Sequence, residues 1–297
     1  MTGPNREAAT MTTTDDGPAA ATMRRGVHAP GGTKQPAGRT ASGSARRPAG
    51  RTVTSRVLSV LSAFSGECPK LSLSDISRRA SMPLTTAHRL VSELMSWGAL
   101  ERDRDGRYQI GLHLWEVGAL APRGLGLREA AMPFLEDLYE VTHQHAQLAI
   151  LEGPDVLYLE RISGRDAVGV RSRVGGRFPA HATGVGLALL AHTPPATQEA
   201  YLAGPLAAFT DRTIADPGRL RGVLAGVRRH GYVISDRQVT LDAVSVAAPV
   251  RDAADEVIAA LSVVVRVGAP QPGALVPAVV SAARGLSRWL RSHPERP

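Results

Sequence analysis

Between Leu71 and Leu94 the chain reads LSLSDISRRASMPLTTAHRLVSEL, and this stretch restricts the fold more than any other. Ser72 or Ser74 can cap a short helix that turns Leu73, Ile76 and Ala80 inward. A tight SMP turn follows, and Pro83 suits the first turn of the next helix, where its missing N–H costs nothing. In that second helix Ala87, Leu90, Val91, Leu94 and Met95 recur at helical spacing and form one apolar stripe. Thr85, His88, Arg89, Ser92 and Ser96 occupy the opposite side, and all of them can hydrogen-bond. Two short helices joined by a tight turn make a helix-turn-helix.

The flanks decide between a solvated polar face and a recognition face. VTSRVLSVLSAFSG reads as a preceding helix with Val57, Leu58, Leu61 and Phe64 on one side and Gly66 as its stop. Downstream, ALERDRDGRYQIG changes to strand-like alternation, with Leu100, Tyr108 and Ile110 around the hairpin dipeptide Asp105-Gly106. Three helices and a charged ribbon form a winged helix-turn-helix, expected over residues 53–111. Its recognition residues are Thr85, Thr86, His88 and Arg89, aimed at base edges in the major groove. Arg102, Arg104 and Arg107 on the wing are suited to the phosphate backbone or minor groove, and Arg78 and Arg79 to phosphates or solvent.

The formal charge of +8 is unevenly spread. Arg6, Arg24, Arg25, Lys34, Arg39, Arg46, Arg47 and Arg51 face only Glu7, Asp15 and Asp16 within residues 1–52, which leaves +3 for the remainder. This basic tail, rich in Gly, Pro, Ala and Thr, has too few large apolar residues for a core and is expected to be disordered. It suits nonspecific contact with DNA phosphates, and it equally suits an overlong gene start with Met11 or Met23 as the initiator. No apolar run approaches the ~20 residues of a bilayer span. Arg24-Arg25 is followed by no apolar segment, so neither a signal peptide nor a twin-arginine signal is indicated, and a cytoplasmic protein is expected. Cys68 is the only cysteine, which excludes an internal disulfide and a multi-cysteine metal site.

LHLWEVGAL and LREAAMPFLEDLYEVT read as helices separated by a break at APRGLG, taken as a linker over 112–127 and the start of a second domain over 128–292. HAQLAILEG and DVLYLERIS flank a Gly-Pro-Asp turn and make a hairpin, and AVGVRSRVG is expected as a further strand. GVGLALLAH and ADPGRLRGVLAGVRRHG read as helices, the latter closed by Gly231. YVISD, AVSVAAPV and VIAALSVVVRV supply strands, and ALVPAVVSAARGLSRWLRS a final helix. Without strict βαβ alternation, the expected class is α+β. At HATGVG a turn opens a helix, so the Gly184 and Val185 amides offer an anion site, and the glycines let a ligand come close.

From Thr54 to Leu290 the chain resembles the IclR family of bacterial transcription regulators. The helix-turn-helix segment carries the resemblance, with VGGRFPAHATGVGLALLA, LAGPLAAFTDRTIADPGRLRGVLAGVRRHGYVISD and SVAAPVRDAADEVIAALSV in the same order. The resemblance implies a winged helix-turn-helix, a helical linker and a GAF-like effector domain, acting as a homodimer or homotetramer on palindromic operator DNA. It also implies a small-molecule effector, for which the anion site suggests a carboxylate, in a pocket lined by Ala167, Val170, Ser235 or Asp236, Ala243, Ser245 and Ser262. The chain departs from the family at Leu84, at Leu187 in place of the lysine of GKALLA, and at Arg237, Gln238 and Asp242.

Two alternatives remain open: a constitutive DNA-binding protein whose second domain only oligomerises, and a small-molecule-metabolising enzyme with an appended DNA-binding module. Against the enzyme, His181 has no nucleophile and orienting partner in a recognisable pattern, and no GxSxG elbow occurs. GVGLAL follows a turn rather than a βαβ strand, so no dinucleotide cofactor is expected. His143 and His145 suit a structural role better than a metal, and no cofactor or catalytic residue is assigned.

Overall fold

The computed structural model describes residues 52–164, 168–268 and 271–293, apart from the side chains of residues 122 and 123. The expected disordered tail therefore falls outside the described residues except at Thr52, whose hydroxyl accepts from the Ser55 amide and caps α1 (Val53–Leu61). α1 ends well before Gly66, because the chain turns back at Ser65–Cys68 through paired backbone bonds and the Ser65 hydroxyl. Val60 is its buried residue, whereas Leu58, expected inside, faces solvent.

α2 (Leu73–Arg79) starts at Ser72, where a reciprocal capping box with Asp75 satisfies amides at both ends. Donation by the Ser72 hydroxyl at 2.7 Å, and then by its amide, holds the Asp75 carboxyl below its ordinary range. α3 (Leu84–Ser96) follows Pro83, which is its N-cap rather than a first-turn residue. Ala87, Leu90, Val91 and Leu94 are buried, the last three packing with Val60, Leu71 and Ile76, while Met95 turns off the stripe to solvent. β1 (Leu100–Arg102) and β2 (Tyr108–Ile110) pair antiparallel across a turn containing Gly106 at φ +76. Asp103 stabilises that turn by accepting from the Asp105 and Arg107 amides and from Lys70 at 2.9 Å.

α4 (Leu112–Gly118) and α5 (Pro122–Thr142) shrink the expected break to three residues, Ala119–Ala121. Pro122 opens α5 at a position where proline is tolerated, so much of APRGLG is helical and residue 127 lies within one continuous helix.

The remaining chain forms β3 (His145–Glu152), β4 (Asp155–Ile162), β5 (Arg177–Pro179), α6 (Gly184–Leu190), α7 (Pro195–Leu202), α8 (Pro217–His230), β6 (Val233–Asp236), β7 (Ala243–Arg251), β8 (Val257–Arg266) and α9 (Pro272–Ser292). Six strands make one antiparallel sheet in the order β5-β4-β3-β8-β7-β6. Of the expected strand AVGVRSRVG, Ala167 lies outside the described residues and residues 168–175 form a loop. Gly175 and Gly176 occupy the backbone bonds of Tyr158 on β4 and lead into the short β5, which pairs with β4 only at Asp155–Leu157. α7 was not anticipated.

Strand alternation gives the sheet two different faces. Leu148, Ile150, Val244, Val246, Val250, Leu261, Val263 and Val265 point toward α5 and α9. The other face carries Ala149, Ala247 and Ala260, on which the fully buried α6 lies beneath α8. Next to them come Gln147, Ser245 and Ser262, and there the packing opens into a cavity.

Candidate functional site

The polar face of α3 is formed as its spacing predicts. Thr85, His88 and Arg89 are exposed and Thr86 is half-buried, all within the first two turns. Arg89 is held by Glu93 at 2.7 Å, but both side chains are more than half exposed, so the pair is worth less than about 1 kcal/mol and yields readily to a nucleic-acid acceptor. On the wing, Arg102 is already engaged: it donates to the Gly106 carbonyl at 3.0 Å and lies over the Tyr108 ring at 5.3 Å. Arg104 and Arg107 stay exposed near the hairpin tip, while Arg78 pairs with Asp75 and Arg79 reaches the Ala63 carbonyl.

The cavity beside α6 measures about 70 Å³. At roughly 10–15 Å³ per enclosed water, that is room for a few waters or one small organic molecule. Of the expected lining, Val170, Gly184, Val185, Ser235, Ala243, Ser245 and Ser262 come together around it. Ala167 lies outside the described residues. Asp236 is not part of the wall: β6 alternates in burial, so Ser235 points in and Asp236 points out, where it pairs bidentately with Arg237. That ion pair holds the Asp236 carboxyl below its usual range.

The wall also contains residues the sequence did not single out. Gln147 Nε2 donates to Ser172 Oγ at 2.6 Å, and Ser262 Oγ donates to Gln147 Oε1 at 3.4 Å. These buried polar groups satisfy one another, as burial requires. Tyr158 is buried, and desolvation raises its phenol pKa well above the ordinary value, so it remains a neutral donor. Gln238 accepts the Ile214 amide and closes one side. Among the described residues Arg171 is the one charged side chain in the lining, with its guanidinium 5.8 Å from the centre of the Phe178 ring, and none of them is acidic. Gln147 had left a signal as the polar residue of the otherwise apolar run AQLAIL. Arg171, Ser172 and Phe178 left none, because a loop and a short edge strand bring them in.

Packing gives the glycines of α6 a second role beside the cavity wall that Gly184 lines. A Cβ on Gly186 would collide with the Ala180 backbone, and one on Gly184 would meet Ser245 Oγ and Ala247. Both glycines let α6 sit close to its neighbours, and Thr183 caps it by accepting the Gly186 amide at 3.0 Å. His181 uses both ring nitrogens, with the Tyr201 hydroxyl at 2.9 Å and the Ala207 carbonyl at 3.0 Å. His143 ends α5 in a left-handed conformation, and His145 Nε2 donates to the Val168 carbonyl at 2.6 Å.

The family model described as the IclR helix-turn-helix domain matches residues 53–104, and that of the bacterial transcriptional regulator IclR C-terminal domain matches residues 121–288. The chain belongs to the IclR family. It is a DNA-binding transcriptional regulator with an effector domain behind its helix-turn-helix. Among relatives of this IclR regulator, the HTH-type transcriptional regulator BhcR of Paracoccus denitrificans is 34% identical over 78% of this chain and 83% of its own length. XynR of Escherichia coli is 33% identical over 70% of this chain and 83% of its own. A crystal structure of an IclR homolog from Microbacterium hydrocarbonoxydans, complexed with 4-hydroxybenzoate, superposes with a TM-score of 0.78 at 39% identity, covering 81% of this chain and all of that one.

Proposed function

We propose that this IclR regulator changes its hold on operator DNA when a small carboxylate, up to the size of one aromatic ring, binds in the cavity beside α6. The observation that carries this reading is the chemistry of the wall: buried hydroxyls and amides, Arg171 at the rim and, among the described residues, no acidic side chain. The carboxylate is held by Arg171 and the amides of Gly184 and Val185, and a ring stacks within the apolar part formed by Val170, Phe178 and Ala243. The 4-hydroxybenzoate complex of the 39% identical homolog supports that size and charge. The protein acts by binding rather than turnover, since the described wall holds no nucleophile beside a base. It works in the cytoplasm; no described helix is long and apolar enough to cross a membrane.

Operator contact is assigned to Thr85, Thr86, His88 and Arg89 as base readers and to Arg104 and Arg107 as backbone contacts, with Arg102 bracing the wing. The winged helix-turn-helix is taken as 53–111, the linker as 112–127 and the effector domain as 128–292. The protein acts as a homodimer or homotetramer, and α4 supports this with Leu112, Trp115 and Val117 all exposed, followed by exposed Leu120. A two-fold pair of recognition helices then reaches half-sites about 34 Å apart.

The test is thermal stability and operator release across a panel of benzoate, 4-hydroxybenzoate and small aliphatic acids, with 4-hydroxybenzamide as the neutral control. A ligand at 100 times its Kd stabilises by about 2.7 kcal/mol. A panel that neither stabilises the protein nor moves DNA overturns the carboxylate reading. For the DNA face, a salt series on the promoter region of the gene itself compares wild type with Arg89→Ala. Lost discrimination of about 1–3 kcal/mol at constant salt slope makes Arg89 a base reader. Uniform weakening with a slope lowered by about one makes it a phosphate clamp.

A further inference from the structure

The effector domain carries a second recess, away from the cavity beside α6, where the edge of the sheet is left open. β6 begins opposite Ala247, so β7 from Ala248 to Arg251 has β8 on one side and no strand on the other. Along that free edge a groove of about 380 Å³ runs between α8 and α9. Arg228, Arg251, Arg284, Arg288 and Arg291 line it, together with His192 and Ser287, and among the described residues no acidic side chain does.

The distribution of these arginines is unusual for a merely solvated face. Arg284, Arg288 and Arg291 stand one turn apart on the same side of α9, a helix with no acidic residue along its whole length. Like charges at that spacing disfavour a helix. Among the described residues none of the three has an ion-pair partner, whereas exposed arginines elsewhere, such as Arg89, Arg221 and Arg237, do. The other two are fixed in place. Arg228 donates to the Ala191 carbonyl at 3.0 Å and to Gln198 at 3.2 Å, and Arg251 donates to the Asp255 carbonyl at 2.6 Å. His192 Nδ1 is engaged with the Ala188 carbonyl at 2.9 Å, which leaves Nε2 for other contacts.

We propose that this groove is a second ligand site, one that takes a small molecule carrying two or more linked phosphates. Guanidinium forks match phosphate oxygens in pairs. Charge selects the number of phosphates. Asp255, 3.4 Å from Arg251, offsets one of the five guanidinium groups, and a single phosphate at about −1.5 to −2 leaves the rest largely uncompensated. Two or three phosphates match it. The recess is bounded by helices on both flanks and floored by the β7 edge, a shape suited to a compact polyanion rather than to the broad surface of a duplex. The site is independent of the carboxylate cavity, so the regulator would respond to two chemically distinct signals.

The experiment titrates the full-length protein with inorganic tripolyphosphate by calorimetry at about 0.15 M salt, where surface attraction is screened beyond about 8 Å. Arg284→Gln/Arg288→Gln is compared with wild type, and Arg104→Gln on the wing serves as control. The exposed side chains involved make loss of folding easy to check by thermal melt. Saturable binding with one site per chain, weakened at least tenfold in the α9 double variant and unchanged in Arg104→Gln, supports the proposal. Absence of saturable binding overturns it, as does binding that the α9 variant leaves intact. If the double variant weakens operator DNA binding and tripolyphosphate does not bind, the groove is a DNA contact and the small-ligand assignment fails. Benzoate-type ligands should behave the same in wild type and the α9 variant, so failure of the carboxylate reading is scored separately.

Discussion

The two faces of the six-stranded sheet are made by the same strands and differ in one respect, the size of the side chains. Toward α5 and α9, Leu148, Val246, Leu261 and Val263 interdigitate with Leu135, Val279 and Leu286. Toward α6, alanine, serine and glycine allow a helix to sit almost on the strands, and the space left beside it is the cavity. Stability is concentrated where residues are large, and room for a ligand is found where they are small. Neighbouring positions on one strand, such as Leu261 and Ser262, therefore serve different ends.

That contrast can be tested by substitution on each face. The largest effect is expected from Leu261→Ala, which empties a fully buried site on the packed face and should cost about 2–5 kcal/mol by chemical denaturation, with ligand affinity of the remaining folded protein unchanged. A loss below 1 kcal/mol would mean that the two faces are not packed differently. Next is Gly186→Ala, whose Cβ meets the Ala180 backbone; a cost of about 1–3 kcal/mol is expected, because backbone cannot rotate away as a side chain can. Ser262→Ala should change stability by only about 1 kcal/mol while weakening carboxylate binding through the Gln147–Ser172 pair it supports. Equal losses in stability and binding would break the comparison.

The smallest effect concerns pH. Burial lowers the pKa of His145, which donates to Val168 through Nε2 and has no partner at Nδ1, and burial likewise lowers that of His192. Both are favoured neutral in the folded chain, whereas the unfolded chain takes up their protons near pH 6.5. Folding therefore releases protons below that pH, and stability falls as pH drops from about 6.5 toward the lower folded values. Thermal melts of wild type and His145→Gln between pH 7.5 and 5.5 should show a shallower decline in the variant. An identical decline would remove His145 as a contributor.

The comparison also explains what could be read in advance. The helix-turn-helix was legible because its signals are local: Ser72 caps, Asp105-Gly106 turns, and the stripe from Ala87 to Leu94 has one period. Even there, the orientation of Leu58 and the early end of α1 depended on a bend at Ser65–Cys68 that periodicity does not report. In the second domain alternation revealed β3, β4, β6, β7 and β8, but it missed the short β5 and marked as a strand the loop that leads to Gly175 and Gly176.

By itself the sequence determined the class, the helix-turn-helix and the hairpin wing, because period, caps and turn residues act over a few positions, while Ser235, Ala243, Ser245 and Ser262 were reached only through the family resemblance. Only the tertiary structure decided that Asp236 faces outward, that Gly184 and Gly186 serve packing, that Arg171 and Phe178 join the cavity, and that five arginines from α8, β7 and α9 meet along an open sheet edge. Those outcomes depend on which distant segments come into contact, and no local pattern of residues carries that information.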